Sequence, residues 1–312
     1  MAPRIPLIFG TMTIGNEGVP GVRTGSPTEA QKVIDTFAKY GKELDTARVY
    51  GGGSTEQVLS QLDLHDCVLD SKAHPYEAGA HSSEKLRASV ETSLATLKNK
   101  KIRTLYLHWP DRATPFAETM ETLNQLHKEG KFEYVGLSNF TSWEVAECVT
   151  LCRANGWVAP SVYQGMYNGI TRALEEELVP CLRKYNMRLV VYNPLAGGLL
   201  TGKYSRDDAS TIEKGGRFDD TIRVGKMYQE RYFRDAYWDG IEAIKTAADK
   251  HKLTMPEVAL RWCQHHSILT PHDGIILGAS SSSQVRWKIG QFITSTDMYT
   301  LLSLTQIAGT RK

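Results

Sequence analysis

The 312 residues carry 37 lysines and arginines against 35 acidic side chains, and a balance of +2 argues against a nucleic-acid or membrane-surface binder. Hydrophobic content of 41% and charged content of 23% are those of a soluble globular protein with ample core. The length suits two average domains or one α/β barrel, for which about 250 residues is typical. No run approaches ~18 apolar residues, and the N-terminus lacks a charged stretch followed by an apolar core. Five cysteines (Cys67, Cys148, Cys152, Cys181, Cys263) are an odd number without metal-ligand pairing, so no metal is expected. Cys148 and Cys152 stand at helical spacing in an apolar stripe and are expected to be buried thiols. A reducing, cytoplasmic setting follows, in which the sequon Asn139-Phe140-Thr141 stays unglycosylated.

In chain order, Ile5 to Phe9 is a short apolar strand running into the glycine-bounded loop Gly10 to Gly15. Ser26, Pro27 and Glu29 open a helix as N-cap, first-turn proline and capping-box partner, and Gly41 stops it. Between them Ala30, Val33, Ile34, Phe37 and Ala38 keep the 3.6 period. Strand Glu43 to Ala47 precedes helix Ser54 to Leu62, capped by Ser54 or Thr55. Strand Cys67 to Ala73 precedes helix Ser83 to Leu97, and strand Thr104 to Trp109 precedes helix Phe116 to His127. Strand Tyr134 to Leu137 meets helix Trp143 to Ala154, and Ser161 to Gln164 meets helix Ala173 to Tyr185. After strand Arg188 to Tyr192 comes a polar loop from Ser205 to about Gly225, then helical runs Asp235 to His251 and Pro256 to His265. Strand Gly274 to Leu277 and a helix from Ser282 to about Phe292 complete eight strand–helix units. Such alternation forces parallel pairing with right-handed crossovers. The expected fold is one closed (β/α)₈ TIM barrel domain across residues 1–312, with an open doubly wound sheet as runner-up.

A barrel works at the C-terminal ends of its strands. Those ends carry Met12, Asp45 with Tyr50, Lys72, His108, Ser138 with Asn139, Gln164, Tyr192 with Asn193, and Gly278 to Ser281. Taken singly, Asp45 serves equally well as an ion-pair partner of Arg48. Tyr50 reads as a packing residue, Lys72 as a surface lysine, and His108 as a satisfied buried histidine. Their succession at neighbouring strand ends favours a joint role. A phenol has an ordinary pKa near 10, and Lys72 is expected to draw Tyr50 down while Asp45 balances the buried ammonium. With His108 holding a carbonyl oxygen, the set suits carbonyl protonation. It brings no reductant of its own, so a reduction requires a cofactor.

The runs LDTARVY (44–50), SKAHP (71–75), YLHWPD (106–111), VGLSNF (135–140), VYQGMYN (162–168) and VYNPLAGGLLTGKY (191–204) resemble the aldo-keto reductases. With FGTM at 9–12, the resemblance is strongest to the aflatoxin-aldehyde reductase branch and spans about Ile5 to Gln291. It implies a barrel that binds NADPH in extended form, NADH being less favoured, and a tetrad of Asp45, Tyr50, Lys72 and His108 with Tyr50 as proton donor. It also implies that Ser138, Asn139 and Gln164 bind the nicotinamide carboxamide and that Tyr192 stacks on its ring. Asn193, Pro194, Leu195, Gly197, Gly198, Leu199, Thr201, Gly202 and Lys203 would follow the pyrophosphate, with Arg217 closing over it. Gly278, Ser280, Ser281 and Gln284 would hold the adenosine 2′-phosphate end, where Trp287-Lys288 replaces the family's usual asparagine and Lys288 offers a point charge. The chain's ending, Leu304 to Lys312, departs from the family's.

Gly197 to Lys203 fits a P-loop except that Tyr204 replaces the magnesium-binding hydroxyl, so nucleotide hydrolysis is not expected. His265-His266 diverge by about 100° on a helix and make a poor metal pair. On the substrate side, Met12, Trp109 and Tyr76 suggest an apolar wall, and Tyr228 and Arg231 share a helical face suited to a carboxylate. The overall expectation is NADPH-dependent reduction of small aldehydes, dialdehydes, semialdehydes or ketones to alcohols. A homodimer is an open option, and neither nucleic acid nor membrane is a partner. The competing view is an NADP(H)-binding redox-sensing module similar to potassium-channel β subunits. A Schiff-base enzyme using Lys72 is disfavoured because an ion-paired ammonium is a poor nucleophile.

Overall fold

Alternate residues of a strand face opposite ways, so each strand here must satisfy two surroundings. The computed structural model describes residues 3–206, 212 and 214–294. The ending at Leu304 to Lys312 and part of the polar loop after Ser205 lie outside the described residues. Among the described residues there are eight strands: β1 (Leu7–Gly10), β2 (Glu43–Asp45), β3 (Val68–Ala73), β4 (Ile102–Leu107), β5 (Phe132–Ser138), β6 (Val162–Met166), β7 (Arg188–Tyr192) and β8 (Gly274–Gly278). They pair in parallel in chain order, and β8 closes on β1 with Leu7 opposite Ile275 and Gly10 opposite Gly278. The expected closed barrel is the fold.

Outward-facing Phe9, Leu44, Leu69, Leu107, Leu137 and Leu189 join one buried cluster with the inner faces of the surrounding helices. These include α1 (Pro27–Phe37), α3 (Ser83–Leu97), α4 (Phe116–Lys128) and α5 (Ser142–Asn155). Inward-facing Ile8, Tyr106, Val162, Val190 and Ile276 form a separate small plug. The other inward positions near the strand starts are charged. Arg103 donates to Asp70 at 2.9 Å and to Glu43 at 2.6 Å, while Arg188 donates to both oxygens of Glu43 at 2.7 and 2.9 Å. A register shift in the β3–β4 pairing between Leu69 and Ser71 accompanies the turn of Arg103 onto Asp70. Burial pushes the Glu43 carboxyl up, but Arg188 and Arg103 more than reverse this and hold it below its usual value. A charged layer on this floor was not foreseen from the sequence.

Local expectations are met unevenly. Ser26 accepts from Glu29 N–H at 3.2 Å, so the Ser26 half of the expected capping box forms. Helix α2 is Ser54–Leu59, shorter than expected, and its cap is Gly53 with φ 93° rather than Ser54 or Thr55. Those two hydroxyls instead donate to Gly51 O and Ile14 O, each at 2.6 Å, and tie β2's loop to β1's. The single helix expected from Ala173 to Tyr185 is divided into a 3₁₀ turn, Ala173–Glu175, and α6 (Leu178–Lys184). Pro180, in the first turn of α6, lacks the N–H that would bond Glu176 O and its ring would clash with that carbonyl, so the helix does not run unbroken across 176–180. Between β7 and β8 lie α7 (Arg223–Tyr232), α8 (Asp235–Lys250) and α9 (Met255–His265), with α7 beginning inside the expected loop. Phe218, Tyr228, Tyr232, Trp238 and Met255 give this excursion its own core. The last helix, α10 (Ser282–Ile293), packs beside α1. Cys148 and Cys152 are buried as free thiols, as expected.

The plug has no spare room. A Cβ on Gly136 would stand 2.2 Å from the Tyr106 ring, which is 1% exposed. Gly136→Ala is therefore expected to cost about 1–3 kcal/mol by overpacking, read as a lower urea midpoint at unchanged slope. A midpoint equal to the parent's would show that Tyr106 is not held in place.

Candidate functional site

At the opposite end from the charged floor, strands β2 to β7 deliver polar side chains to one mouth. Lys72, next to last in β3, is 1% exposed and is held entirely by protein. Its Nζ donates to both Asp45 oxygens at 2.7 Å, to Thr46 O at 2.8 Å and to Tyr50 OH at 3.3 Å. Asp45, 3% exposed, also accepts from Gln164 Nε2 at 2.8 Å. Tyr50 begins the 3₁₀ segment Tyr50–Gly53 just past β2, where Gly51 and Gly52 take positive φ. That abrupt turn, open to glycine at low cost, lets Tyr50 hang over Lys72 despite its odd offset from Asp45. Arg48 is not the partner of Asp45: it pairs with Glu56 at 3.0 Å, and Ser71 donates to the same carboxylate at 2.8 Å. Glu56 is fully buried behind the site and was missed in the sequence, where it looked like one more helical acid.

The electrostatics differ from expectation in one respect. Burial pulls the Lys72 ammonium down, but Asp45 and then Tyr50 more than offset it, so it stays charged. Burial pushes the Tyr50 phenol up, and Lys72 does not fully undo this because Asp45 lies close by, so its pKa is raised rather than lowered. Tyr50 is thus a neutral phenol. Because an ammonium only donates, the Tyr50 oxygen accepts from Lys72 and keeps its own proton for another partner.

His108 follows β4, its ring 5.9 Å from that of Tyr50 at 82°. Burial first, then Lys72 and His74, lower its pKa well below the ordinary 6.5, so the imidazole is neutral. Its buried Nδ1 has no hydrogen-bond partner among the described residues. An unmet acceptor costs less than an unmet N–H, which favours the proton on Nε2. Asn139, with φ 64°, donates to His108 O at 2.9 Å and Ser138 Oγ at 3.0 Å and accepts from Tyr192 OH at 3.0 Å. Asp45, Tyr50, Lys72, His108, Ser138, Asn139, Gln164 and Tyr192 therefore form one connected group.

The remaining predicted residues form a basic flank. Gly197 N donates to Asn193 Oδ1 at 2.8 Å, and Gly198 N and Leu200 N both donate to Leu195 O, at 2.8 and 3.2 Å. These amides of the 3₁₀ segment Ala196–Thr201 are thus spent internally, and a phosphate there would meet side chains. Arg217 Nη1 touches Met12 Sδ at 3.2 Å and Tyr228 OH at 3.4 Å. Arg217 and Arg231 lie 5.5 and 5.4 Å from the Tyr228 ring, and Arg231 also touches Met166 Sδ at 3.3 Å. Lys288 donates to Gly278 O at 2.7 Å. Burial first, then Arg217, push its pKa down to about 8. Among the described residues no carboxylate pairs with Arg217, Arg231 or Lys288. Ser281 caps α10 by accepting from Gln284 N at 3.3 Å, and Gln284 Oε1 accepts from Ser280 N at 3.0 Å. Trp109 and Tyr76, 40% and 64% exposed, stand on the rim rather than forming an inner wall. No group of three or more potential metal ligands occurs among the described residues, and none of their helices is long and apolar enough to cross a membrane.

Comparison with known proteins agrees with this architecture. The model described as the Aldo/keto reductase family matches residues 6–304. The chain is 42% identical over 291 residues to aldo-keto reductase family 7 member A3 of Homo sapiens, covering 89% of this chain and 86% of that protein. It is 41% identical over 291 residues to aflatoxin B1 aldehyde reductase member 2 of Rattus norvegicus, covering 89% of this chain and 77% of that one. Among solved structures, a glycerol dehydrogenase from Gluconobacter oxydans shares the fold at TM-score 0.74 and 24% identity, over 98% of this chain and 94% of that one. The barrel mouth and a family match over nearly the whole length converge: this chain belongs to the Aldo/keto reductase family and is an oxidoreductase.

Proposed function

We propose that this protein reduces aldehydes to alcohols with NADPH, using Tyr50 as proton donor in a tetrad with Asp45, Lys72 and His108. The observation that carries the proposal is the Lys72 ammonium bonded to Asp45 at 2.7 Å and to the Tyr50 hydroxyl at 3.3 Å. The names of relatives such as aflatoxin B1 aldehyde reductase member 2 point to the same substrate class.

A dinucleotide polyanion fits the basic flank, because Arg217 and Lys288 lack carboxylate partners among the described residues and Lys288 is destabilised as a cation for want of one. Ser280 and Ser281, beside the start of α10, add hydroxyl donors. Tyr192 offers a ring face, and Ser138, Asn139 and Gln164 offer amide and hydroxyl groups. When bound, NADPH supplies the reducing equivalents. The protein's own part is to hold the carbonyl oxygen between Tyr50 OH and His108 Nε2 and to deliver a proton. The raised pKa of Tyr50 does not oppose this, since an alkoxide is a far stronger base than a phenolate. Lys72 stabilises the phenolate as it forms, and Asp45 keeps Lys72 charged. Arg231 is placed to attract a carboxylate on the substrate.

Tyr50→Phe is expected to lower turnover at least about a thousandfold, within the range of general acid catalysis, while NADPH binding followed by fluorescence is unchanged. Near-parental turnover in that variant would sink the proton-donor assignment. With the parent, loss of reduced-nicotinamide absorbance with a carboxylated and an uncharged aromatic aldehyde tests the substrate class. Tight NADPH binding with no turnover of either would favour a redox-sensing module instead.

Lys288 is charged below and neutral above about 8. The NADPH dissociation constant should therefore rise as pH passes through about 8, more than that of NADH. Lys288→Met should abolish this pH step and weaken NADPH roughly tenfold, the size of a single charge-assisted contact. An unchanged pH dependence in Lys288→Met would remove Lys288 from the phosphate site.

A further inference from the structure

The ring of His108 presents an open question of control. An imidazole that must aim one nitrogen at a ligand usually has the other fixed by a carboxylate or carbonyl. Among the described residues, Nδ1 of His108 is buried without such a partner. The ring torsion of histidine is broad and roughly two-fold, and a half-turn would replace the outward nitrogen by carbon. Something other than a hydrogen bond must prevent that.

The charge of Lys72 from β3 and the ring of Tyr50 from the turn after β2 both act on His108, and Asn139 after β5 donates to its carbonyl. His74, the residue directly after β3, sets its ring 5.0 Å from that of His108 at 77°. His74 is in turn braced edge-on by Tyr76, also at 5.0 Å and 76°. His81, 2% exposed, lies within electrostatic reach of His74. Asp45, the nearest carboxylate of the group, is engaged by Lys72 and Gln164. Edge-to-face packing of this kind is the preferred geometry of aromatic pairs and excludes water from the contact.

We propose that His74 is a positioning residue: its ring, set edge-on against His108, holds that imidazole in the orientation that sends Nε2–H to the substrate oxygen. The packing does the work, so an aromatic ring without nitrogen can replace it. Removing the ring frees the torsion of His108 and admits water to Nδ1. The inference rests on the carbonyl-binding role proposed for His108, and the experiment separates the two.

The test compares His74→Ala and His74→Phe in the full chain, using whichever aldehyde the parent turns over, with Tyr50→Phe as control. His74→Ala is expected to lower kcat about tenfold through misorientation, with the NADPH dissociation constant and urea midpoint near the parent's. By NMR, the His108 titration in that variant should move up toward its ordinary value of 6.5 as burial is relieved. His74→Phe should stay within about threefold of the parent and keep that titration low, as packing without the nitrogen predicts. A parental kcat and unmoved titration in His74→Ala would overturn the inference, as would a His74→Phe variant as slow as His74→Ala. If Tyr50→Phe keeps full turnover, the underlying functional reading fails; if Tyr50→Phe is inactive and His74→Ala is silent, only the role of His74 does.

Discussion

A buried ammonium is the constraint to which the mouth of this barrel answers. Lys72 has almost no exposure, and stripping water from a charge of that kind is tolerable only if protein oxygens replace it. Asp45 and Thr46 O do so, and the phenol of Tyr50 completes the shell. Leaving either charge without its partner would cost about 3–5 kcal/mol, so the pair also fixes where β2 and β3 can end. The glycine turn at Gly51 and Gly52, and the link from Gln164 across the barrel to Asp45, serve the same shell. Chemistry and folding thus share one set of contacts.

Much of this was legible because strand ends are marked by composition. Apolar runs finishing in Asp45, Lys72, His108, Asn139 and Tyr192 are hard to place anywhere but a barrel mouth, and the structure brings them into contact. Other features depend on geometry that no period encodes. Arg103 turns inward where the β3–β4 register slips, and Glu43 is paired by residues 60 and 145 positions away. Pro180, in the first turn of α6, prevents the helix from extending back through Glu176, although the apolar spacing looked continuous. The direction of the Tyr50 shift eluded the sequence for a similar reason: adjacency of a lysine predicts acidification, but the outcome depends on how much water burial removes and on the carboxylate beside that lysine.

The excursion between β7 and β8 explains why its part of the sequence read as loop. Its polar opening gives little helical signal before Gly225, yet Phe218, Tyr228 and Tyr232 bury themselves against Trp238 and Met255 in a core separate from the barrel's. That core anchors the segment bearing Arg217 and Arg231. Arg217 and Arg231 therefore sit on a unit with its own core, joined to the barrel through Met12 and Met166.

The pairing of Arg217 and Arg231 with one aromatic ring, rather than with carboxylates, has a kinetic meaning. A chain of net charge +2 is almost invisible to a distant ion, but guanidinium groups that no carboxylate pairs among the described residues give one mouth a local positive field. Field lines from such a patch guide oppositely charged molecules inward before contact and raise the rate of productive encounter. With a screening length of about 8 Å at physiological ionic strength, that guidance is short-ranged and fades as salt rises, whereas the buried contacts of Lys72 are shielded from it. Long-range attraction at this mouth and the buried contacts of Lys72 thus answer to different solution conditions.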